Sequence, residues 1–434
     1  MRIGHAHNVR QSVRIAAMPS LARTSRLPAF ERSAWLFLAS VIVGGVAFSI
    51  YQLYFNLFVL ARGFDKDFLG LLSAIPSTVA LFLSLPLGML ADRIGRKAAM
   101  LWGNAGLTAG ILVLVSVRSP AAMIAALALV GASQALVVLS TAPLIMNVSS
   151  EATRTALFSA QFGLSTLAGF FGSLLAGQMP SWFSRWLVVS ADGPVAYGAA
   201  LAVSAVLILV SNAPLWLIRE ATRVQSGITP QVSFGQVWRE LTRPLIVKLV
   251  LPTVFIGFGA AILIPYMNVF FKERFGMPDS QLGLLFSLSA VFTGVASLLG
   301  PRLAGRLGKV RAVVFTQMGS LVFMLLMGFG PGLYIAAASF LMRGALMNMG
   351  APLYSAFTME QVPDHERATV NSVQTVVWEL GWAIGPAVSG LVQQRYGFAP
   401  LFIATTVFYG IAGAITFAFF HATEEQPTPA PKAA

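Results

Sequence analysis

The sequence predicts an all-α polytopic membrane protein, with twelve transmembrane helices in two pseudo-symmetric six-helix bundles. Three observations predict it. The 434-residue chain is 56% hydrophobic and only 10% charged, with a mean hydropathy of +0.76; soluble proteins carry roughly 25% charged residues. Its apolar residues come in runs of about twenty, the length a helix needs to cross ~30 Å of hydrocarbon at ~1.5 Å per residue. Lastly, one charged turn occurs twice, 213 positions apart. Gly88-Met89-Leu90-Ala91-Asp92-Arg93-Ile94-Gly95-Arg96-Lys97 aligns with Pro301-Arg302-Leu303-Ala304-Gly305-Arg306-Leu307-Gly308-Lys309-Val310, identical at four of ten places. The same offset carries Gly70 onto Gly283, Gly131 onto Gly344, Arg154 onto Arg367, Gln161 onto Gln374, Gly172 onto Gly385 and Gly177 onto Gly390. A single offset held over so much chain marks a duplicated domain.

The elements follow in order. Residues 1–33 hold six Arg, one acid and no apolar core of signal-peptide length. They read as a basic cytoplasmic tail, as an organelle transit lead, or as an over-long start whose first 17 residues precede Met18. Residues 34–218 form the first bundle, with spans near 34–61, 68–91, 98–117, 121–147, 156–178 and 195–218. Helices are required because backbone groups exposed to lipid find no water. Trp182, Phe183 and Trp186 fall between the fifth and sixth spans, where an aromatic belt anchors the interface or a substrate entrance is capped. A polar linker, 219–243, contains Gly227, Pro230 and an amphipathic stretch from Phe234 to Leu241 suited to the membrane surface. Residues 244–420 form the second bundle, with spans near 244–271, 280–303, 311–329, 332–359, 368–393 and 399–420. Pro265 must break or kink the first of these. The tail, 421–434, is Pro-rich and expected to be disordered.

Charge orients the bundles and excludes other classes. With the amino terminus in the cytoplasm, 21 of the 29 Lys and Arg lie inside and seven outside, leaving Arg343 within a span. By the positive-inside rule both termini are cytoplasmic, in a plasma (bacterial inner) membrane. The net charge of +13 is split among short loops, which argues against nucleic acid. With no Cys there is no disulfide, thiolate metal site or Cys nucleophile. Three of the four His (His5, His7, His421) lie in or at the ends of tails, and His365 lies in a loop. No acid–His cluster, Ser–His arrangement or phosphate-cradling loop occurs, so neither an enzyme, a metal nor a cofactor is expected.

The Gly88–Lys97 turn after the second span closely resembles the hallmark loop of the major facilitator superfamily. The degenerate copy after the eighth span and the six-plus-six arrangement with a cytoplasmic linker fit the same family. The resemblance covers about residues 34–420. It implies two bundles rocking about a central cavity open to one side at a time, in a protein acting as a monomer. It also implies that Asp92 latches onto the start of the eleventh helix, near Arg367, when the cytoplasmic side is closed. Gly88, Gly95, Arg93 and Arg96, with Arg306 and Gly308 of the second copy, complete this gate loop. Gly305 replaces the acid there, so the latch is one-sided. Glu151 with Arg154 and Glu366 with Arg367 resemble a second charged layer.

Charges within a span are the default functional candidates, because each costs about 2.5–3.5 kcal/mol or more unless paired or wet. Arg343 and Glu379 lie at similar depth on helices that are neighbours in the family fold, so they are expected to pair. Glu379 then exchanges a proton or Arg343 binds an anion; a static packing pair is the other reading. Gln52 and Asn56 in the first span, Gln134 in the fourth, Tyr266 and Asn268 in the seventh, Tyr354 in the tenth and Trp382 in the eleventh complete the expected lining. Asn56 and Asn268 coincide in the repeat if one residue is inserted between. The drug and metabolite efflux branch of the family is the nearest match, with departures. Val130 stands where Arg343's repeat mate should be, and the fifth helix has Gly163, Gly169, Gly172 and Gly177 without the branch's proline. The expected function is secondary transport of a small, apolar or amphipathic organic solute, outward, with or without proton coupling. Uptake of an organic anion held by Arg343 is the alternative, and a non-transporting membrane sensor the remote one.

Overall fold

In the computed structural model, which describes residues 30–219, 239–240 and 243–421, twelve helical passes follow one another, and no strand occurs among those residues. The first bundle is α1 (Arg32–Ala61), α2 (Lys66–Ile94), α3 (Arg96–Ser116), α4 (Pro120–Asn147), α5 (Glu151–Leu187) and α6 (Pro194–Trp216). The second is α7 (Pro244–Phe275), α8 (Asp279–Leu307), α9 (Lys309–Phe329), α10 (Leu333–Glu360), α11 (Arg367–Tyr396) and α12 (Ala399–Phe420). Eleven are long and apolar enough to cross a bilayer. The twelfth by its place, α10, carries Arg343 and Asn348. The chain is an integral membrane protein. The amino-terminal tail, most of the linker with its amphipathic stretch, and the residues past His421 lie outside the described residues.

Two helices depart from the expected spans. Helix α5 runs on through Pro180 to Leu187 and stops at Val188, which adopts a left-handed φ of 53°. A membrane helix tolerates proline because neighbouring helices, Ser and Thr side chains and small local adjustments satisfy the backbone group it frees. Trp182 and Trp186 therefore sit exposed on its last turns and not in a loop. Helix α7 is interrupted by a 3-10 turn at Ile264–Tyr266, where Pro265 lacks the N–H that a regular helix would use.

The duplicated turn has duplicated geometry. Gly95 (φ 93°) and Gly308 (φ 86°) each end one helix and begin the next in a conformation closed to most side chains. Gly88, expected in the turn, is instead buried inside α2. Hereafter the end of the molecule bearing these turns is the basic end, and the opposite end is the far end.

Packing follows the repeat. Helix α2 lies along α11 and α5 along α8, and these two pairings are the largest contacts between the bundles. Helix α10 packs on α9 and α8, whereas α11 packs on α2 and α7, so α10 and α11 barely meet. Small residues allow the close crossings within a bundle. A Cβ on Gly131 of α4 would lie 2.6 Å from Pro76 of α2. Without a hydrophobic drive between helices in lipid, such contacts supply the attraction.

Candidate functional site

A cavity of about 720 Å³ opens in the first bundle where it meets α8, walled mainly by α1, α3, α4, α5 and α6, with α8 as the one contribution from the second half. Gln52, Gln134 and Gln161 line it, with aromatic rings from Phe48, Phe162 and Phe286. No Asp, Glu, Lys, Arg or His is among its lining residues. That volume is in the usual range for drug-sized ligands.

The repeat mates of several lining residues differ in size and polarity. Ser165 and Gly169, on its α5 wall, correspond through the 213-residue offset to Trp378 and Trp382 of α11. Val130 and Gln134 correspond to Arg343 and Met347, and Thr141 to Tyr354. At these positions the second half carries the bulkier side chain. Gly44 faces the cavity, whereas its mate Gly257 lies against the Trp378 indole, where a Cβ would be 3.4 Å from the ring. Trp378 and Trp382 add a ring pair 6.2 Å apart.

The cavity is closed toward the far end by a seal with the same internal symmetry. Gly70 of α2 abuts Gly390 of α11, and Gly283 of α8 abuts Gly177 of α5. The offset turns the first crossing into the second. A Cβ on Gly283 would approach Gly177 Cα at 2.5 Å and Ser173 O at 2.6 Å. Between the crossings two buried asparagines clasp α1 to α7. Asn56 Nδ2 donates to Pro265 O at 2.6 Å and Asn268 Oδ1 at 3.0 Å, and Asn268 Nδ2 donates to Leu53 O at 2.8 Å. Each amide reaches the carbonyl three residues before its counterpart, so the clasp is reciprocal.

Ion pairs cover the rim of the seal. Lys66 Nζ meets Glu273 at 2.6 Å. Lys272 Nζ bridges Asp192 (2.7 Å) and the buried Asp279 (2.5 Å), and the Tyr197 hydroxyl donates to Asp279 Oδ2 at 3.2 Å. The Lys272 ammonium, by hydrogen bond and charge, holds the loop residue Asp192 below the usual carboxylate range.

The expected residues divide on this frame. Gln52 and Gln134 line the cavity. Asn56 and Asn268 form the clasp, Tyr266 donates to Pro386 O at 3.0 Å and Tyr354 to Leu249 O at 2.7 Å, so these four hold helices together. Trp382 is buried at its indole nitrogen without a partner. The expected Arg343–Glu379 pair does not form. Arg343 is buried against Tyr409 of α12, and Glu379 meets Ser77 of α2. The cause is the packing of α10 and α11 on different neighbours. At the basic end Asp92 pairs with Arg96 of the next turn and Arg367 with Asp364 at 2.9 Å, each inside its own half. Arg154 Nε is buried and unpartnered. The seal glycines and Gln161 were legible as repeat matches, but nothing in the sequence told that they meet or line a space. Lys272, Asp279 and Asp192 gave no sequence signal beyond being charges near span ends.

Comparisons with known proteins agree with this fold. The family model described as Major Facilitator Superfamily matches residues 36–278 and 249–434. The multidrug resistance protein MdtG of Salmonella dublin is 27% identical over 172 residues, 38% of this chain and 42% of that protein. The chain therefore spans less than half the length of that relative. An uncharacterized MFS-type transporter, YceJ of Bacillus subtilis, is 24% identical over 373 residues, 83% of this chain and 89% of its own. Among solved structures, a bacterial homolog of the human lysosomal transporter Spinster, inward-facing and unoccupied, matches 93% of the chain with a TM-score of 0.73 at 15% identity. The nucleoside transporter NupG matches 92% with a TM-score of 0.73 at 13% identity.

Proposed function

The chain belongs to the major facilitator superfamily, and from that premise we propose that it exports a small apolar or amphipathic organic solute by alternating access. The observation that carries this is the cavity of about 720 Å³, free of charged walls and shut at the far end by the paired crossings. With the basic end in the cytoplasm, as its Lys and Arg favour, this is an inward-facing state. The solute enters from the cytoplasm or inner leaflet and leaves when the far-end seal parts. The membrane is the bacterial inner membrane, and the working unit is the monomer.

Proton coupling is assigned to Glu379. It is the acid at mid-depth on α11, it faces Ser77 of the other bundle, and among the described residues no cation stands beside it. An intramembrane carboxyl without a counter-ion is costly while charged and is relieved by taking a proton. Its contact across the interface lets its protonation sense how the bundles sit. Arg343, buried against Tyr409 and outside the cavity wall, gives anion uptake no support in this state.

The test is a proteoliposome flux assay with an imposed pH gradient, run on neutral lipophilic dyes, lipophilic cations and organic anions. Gradient-dependent movement of neutral or amphipathic compounds, uncoupled by Glu379→Gln, is expected. Transport of organic anions alone, or flux indifferent to the gradient, would overturn the corresponding half of the proposal.

A further inference from the structure

We propose that Gln52, Gln134 and Gln161 form the recognition site for an uncharged ligand bearing an amide or a similar adjacent donor and acceptor. The proposal rests on the transport function given above and names the substrate class. The three side chains come from α1, α4 and α5 and line one cavity. Gln52 and Gln134 are exposed to it and Gln161 is half-buried. None of the three has a hydrogen-bond partner among the described residues. Their situation differs from that of the other cavity and interface amides. Asn104, in the same wall, is committed to Asn212 Oδ1 at 2.8 Å, and Asn56 and Asn268 to each other.

A free glutamine offers one acceptor oxygen and two donor hydrogens. A ligand amide has its donor and acceptor side by side, so one or two of these glutamines suffice to satisfy both. Phe48, Phe162 and Phe286 supply apolar and aromatic surface for the rest of such a molecule. Fixed charge on the ligand finds no counter-ion in this wall, and desolvating an unpaired charge is far more costly than desolvating a hydrogen-bonded amide. The second half does not repeat the set, because the mates of Gln52 and Gln134 are Pro265 and Met347, and only Gln161 keeps a glutamine, Gln374.

The native absence of Cys makes a direct test possible in the full-length protein. Single Gln161→Cys chains in inverted membrane vesicles are treated with three methanethiosulfonates: neutral methyl, anionic sulfonatoethyl and cationic trimethylammonioethyl. Rates are normalised to free cysteine. The neutral reagent should be at least about tenfold faster than either charged one. Benzanilide should then protect this cysteine at least about fivefold better than trans-stilbene, which has the same shape without the amide. Gln134→Leu should remove that difference. Ser165→Cys serves as a second reporter should Gln161→Cys misfold. Equal rates for a charged reagent, or equal protection by stilbene, would overturn the proposal. Gradient-driven flux without amide-selective protection sinks the amide site and leaves transport standing; protection without flux does the reverse.

Discussion

Arg343 and Glu379 show how far depth alone misleads. Two opposite charges at one level of a membrane are expected to pair, yet each has a different neighbour: Tyr409 for the arginine and Ser77 for the acid. A double-mutant cycle of Arg343→Gln and Glu379→Gln, followed by thermal unfolding in detergent, should give a coupling below about 0.5 kcal/mol. A coupling well above that would restore the pair. Asn56 is the opposite case, a residue with a mutual partner. Asn56→Ala leaves the half-buried Pro265 O without its donor, which should weaken the far-end seal by about 1–3 kcal/mol. The readout is a Ser173→Cys reporter on the cavity floor, labelled in whole cells by an impermeant maleimide. Its labelling should rise several-fold. Asp192 sets the pH range of the rim. Its carboxyl is held below its ordinary value of about 3.9, so its pair with Lys272 contributes above that value and is lost only as pH falls through the depressed one. Moving the outer medium from pH 7 to about 5.5 therefore leaves this arm intact. Asp192→Asn should leave the pH dependence of the reporter unchanged over that window.

At the level of helices, the two glycine crossings carry the strongest prediction. Gly283→Ala places a methyl group 2.5 Å from Gly177 Cα, and both sides are backbone, so the helices must part. Outer labelling of Ser173→Cys should rise about tenfold or more. Gly305→Ala, whose added carbon meets nothing within 4 Å, should change nothing, and an equal effect of both would refute the wedge. The helices themselves were readable from run length, the break in α7 from Pro265, and the paired turns from the charged repeat. Helix α5 outruns its expected end near 178 because its last turns, through Pro180 to Leu187, carry polar and aromatic residues that an apolar run does not count. Which faces meet was not readable. Gly70, Gly177, Gly283 and Gly390 stood out only as matches across the repeat. Contact between α2 and α11, or α5 and α8, is a property of two bundles placed together, and no local pattern encodes it.

For the whole molecule, duplication supplied the frame and divergence supplied the site. Trp378 and Trp382 against Ser165 and Gly169 show the same helix used once as filler and once as wall. Lys272 joins the halves at the rim. Lys272→Ala strands Asp279, whose side chain is only 8% exposed, without its cation, and should populate the outward-open state through repulsion from Asp192 and the cost of a buried charge. Whole-cell labelling of Ser173→Cys should increase more than for Asp192→Asn, whose carboxylate is 70% exposed and worth under about 1 kcal/mol. The reciprocal clasp lies between two matched crossings, one on either flank. Rigid bundles turning apart must release both flanks together, since freeing one alone would shear the asparagines out of register. Opening is then a single concerted event, and a half-parted conformer would be too rare to let solute or protons slip through uncoupled.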